Sequence, residues 1–309
     1  SGGASLETWS WDATIEHPGN TEQVPGILRC EPSAGYEPSV SRQLEYWSIR
    51  AAWESGAKVP EPLWDGDDTF DRRFMTMKRV EGETLGGRLV RGEQYAHARD
   101  VFAEQLGHSI ARIHNIDLTK YPALNERLPR PGPEDQPADM VLKQIEASFR
   151  SVAKDPHPVF ELAFRWLRAG LPPATGQVFV HADFRLGNVI FGEDGVRAII
   201  DWEAAHIGDP MEDLSWVMMR SWRFGGKKPV AGVGDREPFI QAYEAESGRA
   251  VDRVALRWWE VYATLRWGVI TLTQCDLYYT GRYRNVEMAA IGRRAAETEI
   301  ELLNQLEQA

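Results

Sequence analysis

Three residues raise the first chemical question. Asp183 and Asn188 stand five apart in "HADFRLGN", and Asp201 follows thirteen residues after Asn188. Short apolar runs at 178–180, 189–191 and 198–200 read as strands with these residues at their ends. Core strands do not need such groups, because each one buried without a partner costs about 1–3 kcal/mol. They either cap turns or hold something. An amide oxygen and a carboxylate brought together form a hard-oxygen site suited to Mg2+. A separate carboxylate can accept a hydroxyl proton. Together they match a phosphoryl-transfer constellation: a positioned base, a cation on Asn and Asp, and a nucleotide.

Such a set needs elements to hold it. Residues 5–79 are strand-rich: "SLETWSWDATI" alternates, "HPGN" marks a turn, and "QVPGILRCEP" is a second strand ending at Pro32. In "SVSRQLEYWSIRAAWESG", Val40, Leu44, Trp47 and Ala51 recur at helical spacing and Gly56 supplies a stop. "EPLWDG", "DDT" and "RFMTMKRV" read as strand, turn, strand. The order β-β-α-β-β predicts a small antiparallel sheet with one helix. From about residue 93 the pattern turns helical, beginning with the long amphipathic "EQYAHARDVFAEQLGHSIARIHNI". The Pro-rich stretch 117–137 predicts an irregular loop, functional or mobile. Helices are expected near 138–154 and 157–169, and again from "GDP" at 208–210, with Asp209 as N-cap and Pro210 as the first helical residue. "FGGKKPVAGVG" predicts a flexible loop, and 235–308 reads as helices. Trp258, Trp259 and Trp267 share one of these helices and read as core.

The totals bound the answer. A chain of 309 residues suggests two domains or one large one. The net charge of −11 argues against a general nucleic-acid binder. No apolar run approaches the roughly 18 residues that span a bilayer, so no membrane partner is expected. Only Cys30 and Cys275 are present, which gives no disulfide framework and no metal spacing. With no secretory signal pattern at the start, the expected compartment is the cytoplasm. The opening "SGGASLETWSWDA" sets a Gly-Gly turn before a strand with no strand ahead of it, so residues upstream of Ser1 are expected.

The run His181 to Asn188 resembles the H-x-D-x-x-x-x-N catalytic loop of the aminoglycoside phosphotransferase and choline kinase superfamily. "IIDWEAAHIGDPMEDLSW" is similar to the run that follows it there. The "DFRLGN" variant resembles the subgroup of phosphotransferase domains fused to acyl-CoA dehydrogenases. The resemblance implies an α+β, two-lobed, protein-kinase-like fold. Residues 1–84 would be an antiparallel-sheet N-lobe closing in a hinge at about 80–84, and 85–309 a mostly helical C-lobe. It implies ATP and Mg2+ as cofactors and a small-molecule hydroxyl as acceptor. Asp183 matches the base, Asn188 and Asp201 the Mg2+ ligands, and Arg185 a cation directed at the transferred phosphate. Ser1, Gly2, Gly3 and Ser5 resemble the phosphate-covering loop. Arg29 stands where the fold usually has a lysine, with Glu45 as its helix partner; an arginine keeps the charge and can grip phosphate bidentately. Met77, Lys78 and Val80 resemble the hinge that meets adenine. His181 would brace the loop. Asp209 would cap the following helix and steady the loop. His108 and His114 are not expected to bind metal. Glu203 is open between the acceptor or metal shell and loop support. Acidic contacts to an aminoglycoside-type antibiotic would come from Glu203, Glu212, Asp213 or Asp276. The alternatives are a metabolic kinase for a hydroxyacyl-CoA or choline-like alcohol, and a nucleotide-binding module without turnover.

Overall fold

The computed structural model describes residues 8–31, 41–66, 72–132, 135–283 and 285–308. Ser1, Gly2, Gly3 and Ser5 therefore lie outside the described residues, as does the "DDT" turn. Strand β1 (Thr8–His17) pairs antiparallel with β2 (Asn20–Cys30) through the turn at Pro18–Gly19. Helix α1 (Arg42–Glu54) follows, started by the Ser41 side chain accepting from Leu44 N–H. Strands β3 (Pro62–Gly66) and β4 (Phe74–Lys78) complete a sheet of order β1-β2-β4-β3, all neighbours antiparallel. Gly26 of β2 has a local reason: a Cβ there would sit 2.0 Å from the Trp11 ring lying over it.

The remainder is helical around two short hairpin-like sheets. Helices α2 (Gly86–Arg91), α3 (Ala96–His114), α4 (Pro122–Arg127), α5 (Pro137–Val152) and α6 (Pro158–Ala169) come first. Strands β5 (Val178–Val180), β6 (Val189–Gly192), β7 (Gly195–Ile199) and β8 (His206–Gly208) then pair as β5-β8 and β6-β7. Helices α7 (Met211–Trp216), α8 (Arg236–Ser247), α9 (Arg253–Tyr279), α10 (Val286–Gly292) and α11 (Ala295–Glu307) close the chain. The core gathers Leu106, Ile110, Phe102, Phe160, Trp202, Phe239 and Trp259, all at or near zero exposure. Among the described residues no helix is long and apolar enough to cross a membrane.

Three expectations need correction. The Pro-rich stretch is not irregular throughout, because a single helical turn at Leu118–Lys120 and α4 organise it, each opened by a local cap or a proline. The stretch at 224–234 is not a loose loop. Val230 and Ala231 are fully buried, and Val230 N–H donates to the Gly234 carbonyl at 3.0 Å while Ala231 N–H donates to that of Val217 at 3.2 Å. Glycines let its backbone fold tightly on itself, which composition alone reads as flexibility. Helix α7 starts at Met211, with Pro210 in the cap position. Asp209 still accepts from Met211 N–H at 2.9 Å, so its capping role holds from one residue further out.

Candidate active site

The polar ends of β5, β6 and β7 converge because β6 and β7 form a hairpin and the loop between β5 and β6 folds back on it. The residue before Asp201 ties the two together: Ile200 N–H donates to the Asn188 carbonyl at 2.9 Å. Ala182 and Asp201 both adopt left-handed backbone, at φ 67° and 73°. For a residue with a Cβ that conformation is uncommon, and it clusters where surrounding structure enforces it at working sites.

Asp183 is the most heavily contacted side chain of the loop. Arg185 Nε donates to its two oxygens at 2.9 and 3.1 Å, Trp216 Nε1 to Oδ1 at 2.8 Å, and Asn188 Nδ2 to Oδ2 at 2.5 Å. Asn188 Nδ2 also donates to the Asp183 carbonyl at 3.0 Å, so the amide nitrogen is committed and its oxygen faces elsewhere. Charged hydrogen bonds of this kind hold a carboxylate in one orientation. The Arg185 guanidinium lies 4.6 Å from the centre of the Trp222 ring, which fixes it as a cation–π pair beside the acid.

His181 supports the loop from beneath. Asp183 N–H donates to its Nδ1 at 3.2 Å, which leaves the proton on Nε2 to donate to the Ile200 carbonyl at 3.2 Å. Burial drives its pKa down, against the pull of Asp213, Asp183 and Asp201, so the ring is neutral. Asp213 accepts from His181 N–H and Ala182 N–H, each at 2.8 Å, and lies 3.1 Å from His114 Nε2. Burial alone would raise the Asp213 pKa, but the hydrogen bond and charge of His114, with His181, hold it below its ordinary value. Asp209, also buried, accepts from Thr175 N–H at 3.0 Å and its hydroxyl at 2.7 Å; burial dominates and raises its pKa.

Across from the loop, Arg29 of β2 pairs with Glu45 of α1 and reaches Asp201 Oδ1 at 3.6 Å. Burial lowers its pKa, opposed by Asp201 and Glu203. Glu45 is fully buried and is also paired with Arg42, itself fully buried. Arg42 Nε and Nη2 have no hydrogen-bond partner among the described residues. Burial and the neighbouring Arg29 bring its pKa down to about 10, despite Glu203 and Asp201. Glu203 has a buried Oε2 with no hydrogen-bond partner among the described residues. Burial and Asp201 push its pKa up, against the pull of Arg29 and Arg42.

Glu212 and Asp213, expected as contacts to the acceptor, lie beside the loop on α7. Both are buried and internally engaged: Glu212 pairs with Arg266 at 2.9 Å and His206 at 3.2 Å, and Asp213 accepts from His181 N–H and Ala182 N–H. Asp276 is likewise paired, with Lys154 at 2.7 Å and Arg282 at 2.5 Å. The residues expected at the hinge fall on either side of the end of β4. Met77 and Lys78 belong to β4, which is paired on both sides, and Lys78 N–H donates to the Glu61 carbonyl at 2.8 Å. Of the three residues only Val80 lies in the connecting segment. Sequence reasoning passed over Arg42 and Trp216. Arg42 stands one helical turn before Glu45, a spacing that pairs them on one face. Trp216 falls within the quoted "MEDLSW" run, where it reads as one more apolar residue.

An amide oxygen, the Asp201 carboxylate and the orphaned Glu203 Oε2 are hard donors of the type Mg2+ takes, so this donor chemistry fits such an ion. The fold is two-lobed and kinase-like, and the class it falls in is that of the phosphotransferases. A family model of the phosphotransferase enzyme family (APH) matches residues 20–259, and the chain belongs to that family. It is 28% identical over 207 residues to acyl-CoA dehydrogenase family member 11 of Gallus gallus, covering 62% of this chain and 24% of that protein. The chain thus spans about a quarter of the length of that curated relative. Among solved structures, an aminoglycoside-phosphotransferase assignment from Ralstonia eutropha superposes with a TM-score of 0.72 at 19% identity, covering 100% of this chain and 94% of that one. Spectinomycin phosphotransferase APH(9)-Ia in complex with ADP and spectinomycin superposes at 0.61 and 15% identity, covering 99% and 92%.

Proposed function

We propose that the chain transfers the γ-phosphate of ATP to a hydroxyl of a small molecule, bound in a cleft between an N-lobe of residues 1–84 and a C-lobe of residues 85–309. The observation that supports this reading is the donor-crowded Asp183 beside Asn188 and Asp201, with Arg29 reaching across from the opposite sheet. Asp183 orients the acceptor hydroxyl and takes its proton. Asn188 and Asp201 would hold Mg2+, which when bound offsets phosphate charge. Arg29, held by Glu45, grips the nucleotide phosphates, and Val80 lies in the segment beside the base. Arg185 keeps the carboxylate aligned and presents a cation near the transferred group. The gain comes mainly from positioning and electrostatics.

For the acceptor we infer a hydroxyacyl-CoA in preference to an aminoglycoside. Of the four acids available to greet a polycation, Glu212, Asp213 and Asp276 are already paired, and only Glu203 has an oxygen to spare. Near the base stand the rings of Trp216 and Trp222, whose cation–π partners Arg266 and Arg185 are themselves already paired, so this side suits an apolar body better than a polycation. The likeness to a protein named for acyl-CoA dehydrogenation points the same way. The aminoglycoside reading draws on the spectinomycin phosphotransferase neighbour. A Mg-ATP turnover screen against hydroxyacyl-CoAs, choline analogues and aminoglycosides tests both. Phosphorylation of hydroxyacyl-CoA alone is expected. Turnover confined to aminoglycosides would overturn the acceptor but leave the reaction, and nucleotide binding with no turnover would favour a binding module.

A further inference from the structure

A second polar cavity, of about 240 Å³, lies among α8, α9, α11 and the turn after α7. It is separate from the catalytic cleft, since none of Asp183, Asn188 and Asp201 lines it. Its charged walls are Arg220, Arg223, Arg236, Arg257, Glu260 and Glu301, a surplus of two positive charges, and its other lining groups are neutral. The pairing is uneven. Glu260 is shared by Arg236 at 2.6 Å and Arg257 at 3.7 Å, while Glu301 takes Arg220 at 3.2 Å. Arg223 has no carboxylate among these pairs. Its Nε and Nη2 donate to the Met218 carbonyl at 3.3 and 2.9 Å.

A set of ion pairs that served only to join helices would close on its own charges. Four guanidiniums around an open volume, two of them uncompensated by the cavity's own acids, leave room and charge for an anion. The half-buried Arg223 shows the cost. Burial lowers its pKa, Arg220 and Arg236 lower it further, and Glu301 and Glu260 oppose them. Planar guanidiniums recognise phosphate through paired N–H donors. Arg220 and Arg223 flank Trp222 in sequence, and Arg185 lies over that ring at 4.6 Å.

We propose that this cavity is a binding site for a phosphate-bearing small-molecule group, held by Arg223 with Arg220, Arg236 and Arg257. It does not depend on the acceptor inferred above.

Pyrophosphate is the probe, titrated calorimetrically without divalent cation into an Arg29→Ala background that weakens the nucleotide cleft as a competing anion site. Binding of one equivalent is expected, with Arg223→Gln weakening it at least about tenfold and Arg223→Lys retaining most of it. Arg220→Gln, on an exposed side chain, should weaken it several-fold and serves if Arg223→Gln does not fold, as judged by thermal melting. No binding in the Arg29→Ala background, or binding indifferent to the Arg223 and Arg220 substitutions, overturns the proposal. Displacement of bound pyrophosphate by a hydroxyacyl-CoA would mark the group as part of the acceptor, and its failure to displace would mark a separate phosphate ligand; either upholds the site.

Discussion

A carboxylate that receives three donor groups is held in one orientation, and Asp183 is such a group. Asp183→Ala should lower kcat by about 10²–10⁴-fold, the usual contribution of a positioned general base. The Kd for Mg-ATP should stay within about twofold, because its proposed holders are other residues. Normal turnover in that variant would remove the base assignment. Arg29 differs in kind, since it spans Glu45 and Asp201 with two arms. A lysine carries a single point charge and can keep only one of them. Arg29→Lys should therefore raise the KM for ATP about tenfold with a smaller effect on kcat. An unchanged KM would show that the charge alone suffices. Asp183, Asn188 and Asp201 were legible in the sequence because polar residues at the ends of very short apolar strands stand out. The burial of Glu212 and Asp213 was not legible, because sequence shows charge but not burial, and two acids in a first helical turn look solvent-exposed. Arg42 escaped notice because periodicity reserves inward faces for apolar residues, whereas here the buried Glu45 draws it in.

The elements were easier to read than their packing. The β-β-α-β-β order and the long α3 follow from the period of apolar residues, which backbone geometry imposes. What periodicity cannot show is where one helix crosses another. Gly107 in α3 marks such a place: a Cβ would meet the Phe239 carbonyl at 2.4 Å and the Ala242 Cβ at 2.9 Å on α8. Gly107→Ala gains about 1 kcal/mol of helix propensity. Overpacking against the α8 backbone costs about 1–3 kcal/mol. Net destabilisation is expected in denaturant titration, and a more stable variant would show that α8 can yield. The pairing of β8 with α7 has a pH signature. Burial disfavours the charged form of His206, but the charge and hydrogen bond of Glu212 outweigh it and raise the pKa above its ordinary 6.5. Its stabilisation is therefore fully present below about pH 6.5 and lost as pH rises through the folded value. Melting temperature should fall across that interval in the wild type and do so less in His206→Gln. Equal slopes would assign the pH dependence to other groups.

At the scale of the whole molecule, the segment after β4 and the turn after α1 are fastened to the β6-β7 hairpin by backbone-directed contacts. Glu83 and Phe191 exchange N–H to carbonyl bonds at 2.8 and 3.0 Å, and Arg197 Nη1 donates to the Glu81 carbonyl at 2.9 Å. The turn after α1 is fastened to β7 twice: Ile199 N–H donates to the Lys58 carbonyl at 2.8 Å, and Lys58 Nζ to the Val196 carbonyl at 2.7 Å. This joins the two sides of the proposed nucleotide site, because α1 carries Glu45, the partner of Arg29, and Asp201 follows β7. Lys58→Met removes one charged hydrogen bond and keeps the stem of the side chain. A loss of about 1.5–3 kcal/mol in stability is expected from that bond alone. If the fastening also sets the distance between Arg29 and Asp201, the Kd for Mg-ADP should weaken several-fold in calorimetry at a temperature where the variant is fully folded. A weaker fold with an unchanged Kd would confine Lys58 to holding the two regions together.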